Sequence, residues 1–435
     1  MGTIKFALKM LVKDAHKSFS FLVTEFFAIM TSFMFFNIIE NEFLRDNTAA
    51  TSGTSMQDIS VPIATMLALI IIMFSCYMLF NANNLYLTHK TKDIAILEMS
   101  GSTFMSSTSY LFVQFIVMSL IAGPLGMLAG TGGALVANKY MYQYLSINSN
   151  SNFIPFNAYR DTLLLLGVVF FMMFMLDAGY IHRHDLQYLL SQEHSNEVDI
   201  AAMYRVHDII YLIMAAGGLA LIVTTPFESG QYLPPCFLGA VGVTGCINQV
   251  IPNLIDKLKG RLWIDRKIRL ISFSNLAFSL RRSSMLILIH GLTTITMIAI
   301  IVTQRYNPRE YVTGILAYMV VTLMIAVSIM YKYIAEAHMR KTFFFNLYKL
   351  GFTPHQIDRI VFLEVICYYV LLIISPLIYV IPLVVLFVMN DAATKLFASV
   401  MLSSAIIPSM IMGVVTYIAY KRIVFDKIKE GMHRE

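Results

Sequence analysis

Residues 347–356, LYKLGFTPHQ, form a basic segment with one glycine between two of the most apolar stretches of the chain. A weaker copy, LEMSGSTFMS, occupies residues 97–106. We call these segments the second and the first elbow. In each, a helix is expected to end at the glycine, which readily adopts the left-handed conformation that closes many helices. In the second elbow, Thr353, Pro354 and Gln356 predict a capping box that starts the next helix.

The composition indicates a membrane protein, since 57% of the 435 residues are hydrophobic and only 13% are charged. A helix needs ~20 mostly apolar residues to cross ~30 Å of hydrocarbon, and ten stretches meet that requirement. They are residues 19–39, 61–83, 108–136, 162–181, 208–225, 232–251, 283–303, 311–333, 358–388 and 398–420. The stretch at 358–388 contains Pro376 and Pro382, which favour a kink.

Basic residues are unevenly distributed between the loops, which predicts the orientation of the spans. If both termini are cytoplasmic, only six of the 32 Lys and Arg residues lie outside: Arg45, Lys139, Arg160, Arg305, Arg309 and Lys395. In this interpretation, the net charge of +6 serves to orient the chain in membrane lipid. Nucleic acid is therefore not an expected partner. Residues 4–18 combine spaced lysines with apolar side chains, which predicts an amphipathic helix on the inner surface.

The elbows belong to a longer internal repeat. At an offset of 250 residues, five positions pair: Lys90 with Arg340, Leu97 with Leu347, Gly101 with Gly351, Thr103 with Thr353 and Gln114 with Glu364. At an offset of 265 residues, the N-terminal helix matches residues 268–284. Each copy is expected to run as span, short surface helix, glycine break and span. An even number of spans separates the copies, so both have the same orientation, as in parallel repeats.

We therefore predict an all-α integral membrane protein of about ten transmembrane helices. Two parallel pseudo-two-fold repeats of four helices, each with an amphipathic lead-in, flank a linking pair. The predicted boundaries are residues 1–185 for the first repeat, 186–260 for the linking pair and 261–435 for the second repeat.

The helix before each elbow carries apolar side chains beside basic ones, which two interpretations explain. The first is an interfacial helix whose aromatic residues lie among lipid headgroups. The second, favoured by two related copies on one side of the membrane, is a docking site for two copies of a soluble partner. The residues concerned are Lys90, Lys92, Ile94, Leu97, Gly101, Arg340, Lys341, Phe344, Leu347, Tyr348 and Gly351.

The elbow segments resemble those of a transporter family. FtsX-like permease domains have a basic helix that ends in Leu-x-x-x-Gly before a span, and residues 89–115, HKTKDIAILEMSGSTFMSSTSYLFVQF, are similar to it. Residues 336–364, EAHMRKTFFFNLYKLGFTPHQIDRIVFLE, resemble the second copy in ten-span bacitracin-efflux (BceB-like) permeases. The lead-ins KFALKML and ISFSNLAF also look like that family's, and these loose motifs extend over nearly all the spans.

This resemblance implies the permease subunit of a type VII (MacB-like) ABC transporter in a bacterial cytoplasmic membrane. One such chain works with two ABC ATPase subunits, which bind the ATP and Mg, and residues 88–100 and 336–350 are the coupling helices. BceB-like permeases have a large extracellular domain where this chain has only TQRYNPRE, residues 303–310. The expected substrate is therefore an amphiphilic peptide or a lipid-linked compound in or just above the outer leaflet, as in antimicrobial peptide resistance.

The sequence shows no pattern for catalysis. It has no G-x-x-x-x-G-K-[ST] phosphate loop, so we expect no enzyme activity and no cofactor or metal bound by this chain. The glycine-rich residues 126–138 lie inside a span, where small residues allow close helix packing. Cys76, Cys236, Cys246 and Cys367 lack metal-ligand spacing and are expected to be buried small hydrophobic residues.

Ionisable side chains inside spans are functional candidates, because each costs roughly 2.5–3.5 kcal/mol at a helix centre. Glu25 and His290 are equivalent at the 265-residue offset, and they either pair near the pseudo-axis or bond separately to their own neighbours. Glu364 is expected to orient the second elbow. Asp177 is expected to be solvated near the inner surface.

Three functions are compatible with this pattern. The first is an ATP-driven permease. The second is a signalling or scaffold subunit of an FtsX-type complex, which passes the ATPase cycle to a partner such as a sensor histidine kinase. The third is an ion-driven secondary transporter, which fits the few buried charges poorly.

Overall fold

The protein is all-α: in its structure, a computed structural model, 91% of the described residues are helical. The structure describes residues 3–13, 15–44, 57–148, 150–183, 207–225, 232–262 and 266–432, and these ranges contain no strand. The Cα positions separate into two units, Met1–Glu197 with Pro308–Thr313 and Val198–Asn307 with Gly314–Glu435. The predicted division into two repeats and a linking pair stays a prediction.

Five helices of the first unit lie in the described residues. They are α1 (Thr3–Lys13), α2 (Ala15–Glu40), α3 (Gln57–Met99), α4 (Phe104–Tyr144) and α5 (Phe156–Arg183). α2 packs against α3, α4 and α5. Two glycines of α4 allow the close approach, since a Cβ on Gly126 or on Gly130 would come 3.0 Å from a carbonyl oxygen of α2. The close packing predicted for the glycine-rich stretch is therefore confirmed.

The remaining helices lie wholly or mostly in the second unit. They are α6 (Asp208–Thr224), α7 (Leu233–Gly245), α8 (Ile251–Leu262), α9 (Lys267–Arg282), α10 (Ser284–Thr303), α11 (Pro308–Lys349), α12 (Pro354–Met389) and α13 (Lys395–Met432). A π-helical turn, Cys246–Val250, joins α7 directly to α8. α12 continues through both Pro376 and Pro382 and packs against α9, α10 and α13.

Eight helices in the described residues are long and apolar enough to cross a membrane, so the chain is a multi-pass membrane protein. These segments are Phe21–Glu40, Met105–Tyr144, Phe156–His182, Leu233–Lys259, Ser284–Thr303, Pro308–Lys349, Pro354–Met389 and Lys395–Lys429. The predicted span at 61–83 lies within α3, and the one at 208–225 corresponds to α6, which has only 17 residues. The count of ten spans stays a prediction.

The helix before each elbow continues the preceding apolar helix without a break. α3 has 43 residues and α11 has 42, so each is ~60 Å long at 1.5 Å per residue. The separate short surface helix expected before each glycine is therefore the last part of a much longer helix. No proline or glycine between residues 84 and 96, or between 334 and 346, interrupts the hydrogen-bonded ladder.

Candidate functional site at the two elbows

The two elbows adopt the same backbone conformation. Gly101 has a φ of 83° and Gly351 a φ of 92°, in the left-handed region that favours glycine. The residue before the next helix has φ and ψ of −73° and 154° at Thr103, and of −71° and 153° at Thr353. A Cβ on either glycine would meet no heavy atom within 4 Å. The backbone angle, rather than crowding, therefore requires glycine at these positions.

Both elbow helices end with the two hydrogen bonds of a Schellman motif. The N–H of the glycine donates to the carbonyl three residues before it, and the following N–H donates to the carbonyl five residues before it. The pairs are Gly101 to Glu98 (3.0 Å), Ser102 to Leu97 (3.1 Å), Gly351 to Tyr348 (3.0 Å) and Phe352 to Leu347 (3.2 Å). The same two hydrogen bonds therefore end both elbow helices, between residues that correspond at the offset of 250.

The helix starts after the elbows differ. The Thr353 hydroxyl accepts a hydrogen bond from the Gln356 N–H at 3.3 Å, and the Gln356 side chain accepts one from the Thr353 N–H at 3.0 Å. The predicted capping box is therefore confirmed. Thr103 makes no such side-chain bond, and the hydroxyl oxygens of Ser102 and Ser107 lie 3.1 Å apart instead.

This difference predicts an asymmetric effect of two matched substitutions. Thr353→Val is expected to destabilise the chain by about 0.5–2 kcal/mol, the usual cost of losing an N-cap hydrogen bond. Thr103→Val keeps the same volume change and removes no cap bond, so its effect is expected to be much smaller. Thermal unfolding of the two purified variants measures the difference. Equal shifts of the two midpoints would contradict the assigned capping.

Three apolar members of the predicted coupling set are buried and support the elbow helices from within. Ile94 and Phe344 are fully buried, and Leu347 is 8% exposed. The Phe344 ring packs edge-on against Tyr420 of α13, with 5.8 Å between the ring centroids. These side chains hold each elbow helix against its own unit, so a partner protein cannot reach them without rearrangement.

The polar members of the predicted set occupy different environments. Lys90 is fully buried, and its ammonium lies 3.0 Å from the Asp93 carboxylate one turn later. The half-buried members of the predicted set, polar and apolar, are Leu97, Arg340, Lys341 and Tyr348. The Lys92 side chain lies outside the described residues.

The elbows expose other apolar side chains. Ile96 and Met99 are 49% and 55% exposed, and we call them the first elbow surface. Phe343 and Leu350 are 43% and 77% exposed, and we call them the second elbow surface. The predicted coupling set does not include Ile96, Met99 or Leu350, because an apolar stripe does not by itself show which of its sides faces the rest of the protein.

A cluster of buried polar side chains on α9, α11 and α12 adjoins the helix that ends at the second elbow. The carboxylate of Glu364, fully buried on α12, accepts hydrogen bonds from the Arg340 guanidinium at 2.7 Å and from the Tyr333 hydroxyl at 3.2 Å. The Ser279 hydroxyl donates to the same carboxylate at 3.3 Å. One carboxylate therefore joins α9, α11 and α12. The sequence singled out Arg340 and Glu364 separately, and the structure brings them together.

Further charges on α11 adjoin this cluster. Glu336, which is 2% exposed, lies 3.5 Å from the Arg282 guanidinium. The Lys332 ammonium donates to the Arg282 backbone carbonyl at 2.5 Å. Lys332, Glu336 and Arg340 follow one another at four-residue spacing, which places them on one face of the helix. That spacing is the signal from which the cluster could have been predicted.

The equivalent position in the first unit is neutral. Gln114, which aligns with Glu364, is fully buried and accepts a hydrogen bond from the Tyr86 hydroxyl at 2.6 Å. Its side-chain NH₂ donates to the Ala7 carbonyl at 3.2 Å. Gln114 therefore ties α1 to α4, as Glu364 ties α9 to α12.

Glu25 and His290 each have a neighbour within their own unit. The Glu25 carboxylate, 1% exposed, accepts a hydrogen bond from the Ser119 hydroxyl of α4. His290, 2% exposed on α10, lies beside the Leu372 carbonyl of α12. The pairing of Glu25 with His290 stays a prediction.

Asp177 is buried, and the expectation that it is solvated is wrong. Its side chain is on α5 and is 1% exposed. The Asn83 amide of α3 donates to its carboxylate at 2.8 Å. This hydrogen bond offsets part of the cost of removing the carboxylate from water.

The described residues contain no group of three or more His, Cys, Asp or Glu side chains that could hold a metal ion. The four cysteines are free thiols, and the expectation that all four are buried is wrong: Cys236 is buried, whereas Cys76, Cys246 and Cys367 are half-buried. No model of a known protein family matches the chain, and no curated protein matches it either. Within the described residues, the two elbows and the polar cluster next to the second one are the features that bear on function.

Proposed function

We propose that the chain is the permease subunit of an ATP-driven ABC transporter, of the kind that FtsX-like and BceB-like permeases represent. The observation that carries this proposal is the pair of elbows, residues 97–106 and 347–356, whose helices end with the same hydrogen bonds in a multi-pass membrane protein. Two matching turns with exposed apolar side chains suit the docking of two copies of one ATPase subunit. These partner subunits bind ATP and Mg and perform the hydrolysis.

In the proposed layout, ten helices cross the bacterial cytoplasmic membrane as two parallel four-helix repeats and a linking pair. Both termini and both elbows face the cytoplasm. α3 and α11 then carry a movement of the ATPase directly into the membrane, because span and elbow belong to one helix. Around Glu364, the ion pair with Arg340 links this movement to α9 and α12.

The proposed substrate is an amphiphilic peptide or a lipid-linked compound, which is exported or cleared in antimicrobial peptide resistance. In this layout, the described outer connections are short: α10 ends at Thr303 and α11 begins at Pro308, while α12 ends at Met389 and α13 begins at Lys395. Such connections favour substrate entry from the membrane rather than capture by an extracellular domain.

The orientation is tested with single cysteines at Ser100 and Lys349, both exposed, in a chain without its native cysteines. A membrane-impermeant maleimide is expected to label neither residue in intact cells and both after permeabilisation. Labelling of only one of them from outside would place the elbows on opposite sides and overturn the layout.

The partnership is tested by co-expressing the chain with the ATPase subunits of neighbouring genes and purifying the chain by affinity. We expect two ATPase subunits per chain and ATP hydrolysis that rises when an amphiphilic peptide is added. A stable complex without such stimulation favours the signalling alternative, with a sensor kinase as the next partner to look for. Transport driven by a proton gradient without any bound ATPase would exclude the proposal.

A further inference from the structure

A pocket of about 200 Å³ lies between α8 and α9 in the second unit. Its charged lining side chains are Asp256, Lys259, Arg281 and Arg282. Phe278 contributes an apolar wall, and the Arg340 guanidinium lies 4.6 Å from the centroid of the same ring. The pocket therefore adjoins the helix that leads to the second elbow.

The positive charge of this pocket is only partly neutralised. The Asp256 carboxylate lies 2.7 Å from the Lys259 ammonium and 2.6 Å from the Arg281 guanidinium. Two positive charges are therefore paired with a single negative charge. Arg282 lies 3.5 Å from Glu336, its nearest carboxylate. The side chains of Lys259 and Arg281 are still 36% and 35% exposed, so both remain accessible to an anion that enters the pocket.

The position of α8 indicates the depth of the pocket in the bilayer. α8 continues α7 at the end of the membrane-crossing segment Leu233–Lys259. Its sequence, IPNLIDKLKGRL, combines apolar and charged residues in the amphipathic pattern of a helix at the level of the headgroups. The pocket is smaller than the ~300–1,000 Å³ typical of sites for drug-sized ligands, and basic side chains beside a membrane-crossing helix attract anionic headgroups.

We propose that this pocket binds the phosphate group of an anionic phospholipid headgroup. Arg281 and Lys259 contact the phosphate, Arg282 adds positive charge, and Asp256 weakens the binding by competing for both contacting cations. The proposal goes beyond transport and requires no ATPase, so it is tested on the purified chain alone. Its failure would leave the proposed permease function untouched.

The experiment counts bound lipid by native mass spectrometry of the full chain in a neutral detergent, with added phosphatidylglycerol or phosphatidylcholine. Arg281→Gln is expected to weaken phosphatidylglycerol binding about fivefold, the size expected for one basic charge near an anionic headgroup. Asp256→Asn is expected to strengthen it by a similar factor. Arg269→Gln makes the same charge change at an exposed position of α9 outside the pocket and is expected to have no effect.

Thermal unfolding checks that the variants are folded, and Lys259→Gln replaces Arg281→Gln if the latter is not. Preference for phosphatidylglycerol over phosphatidylcholine, unchanged by millimolar inorganic phosphate, identifies a lipid site. Displacement by inorganic phosphate also supports a phosphate site but assigns it to the free ion. Equal effects of Arg281→Gln and Arg269→Gln, or weaker binding by Asp256→Asn, would overturn the proposal.

Discussion

Arg340→Met is expected to destabilise the second unit by ~3–5 kcal/mol, the usual cost of removing one member of a buried ion pair. The substitution leaves the fully buried carboxylate of Glu364 without its cation, and the hydroxyls of Tyr333 and Ser279 that still donate to it carry no charge. Methionine retains most of the volume of the arginine side chain, so the effect reports the lost charge rather than a cavity. Thermal or denaturant unfolding of the purified chain measures it.

The double variant Arg340→Met, Glu364→Gln is expected to regain most of the lost stability. It removes both charges together, which destabilises the fold far less than leaving one buried charge without its partner. At position 364 it also copies the first unit, where the aligned residue is the neutral, hydrogen-bonded Gln114. If the double variant were as unstable as the single one, the ion pair would not be the source of the effect.

An ion pair on the surface provides the control for these two variants. Arg160 lies 2.9 Å from Asp161, and its side chain is 55% exposed. Exposed ion pairs contribute little to stability, because solvent screens the charges and the side chains lose entropy on pairing. Arg160→Gln is therefore expected to leave the unfolding midpoint nearly unchanged.

The elbows were predictable from the sequence because their determinants are local. A positive φ at Gly101 and Gly351 and the capping box of Thr353 and Gln356 depend on residues within one helical turn. Long apolar stretches likewise predicted the all-α membrane fold, because length and hydropathy alone decide whether a helix can cross a bilayer.

The buried polar contacts were harder to predict because they join residues far apart in the chain. Asp177 and Asn83 are 94 positions apart, and Ser279 and Glu364 are 85 positions apart. Position within a span suggests the depth of a side chain but not which helix it faces. This is why Asp177 was expected to be solvated. Similarly, the apolar pattern before the elbows did not distinguish the buried side of each helix from the exposed one.

Leu350→Gln is expected to weaken the binding of the ATPase subunit at least tenfold. Under the proposed function, the second elbow surface docks against that subunit, and Leu350 is its most exposed apolar side chain, at 77%. Burial of a leucine side chain contributes roughly 1.5–3 kcal/mol, and 1.4 kcal/mol corresponds to a factor of ten in affinity. Glutamine avoids placing a negative charge at a helix C-terminus, where it would be unfavourable. Co-purification and titration of the ATPase against the immobilised chain measure the loss.

Met99→Gln makes the corresponding change at the first elbow surface, where Met99 is 55% exposed. If each elbow docks one ATPase subunit, each single variant is expected to retain about one subunit per chain and the double variant none. Stimulated hydrolysis is expected to be lost in both single variants, because the two ATPase subunits act together in the proposed complex.

Met389→Gln is the matched control. Met389 is 78% exposed, almost the same as Leu350, but it lies at the far end of α12, 36 residues long. All three positions are exposed, so each substitution is expected to change stability by no more than ~0.5 kcal/mol. If Leu350→Gln loses ATPase binding while Met389→Gln binds normally, the partner docks at the second elbow and not at the opposite end of α12. Equal binding by both variants would instead leave the elbows as interfacial turns among lipid headgroups.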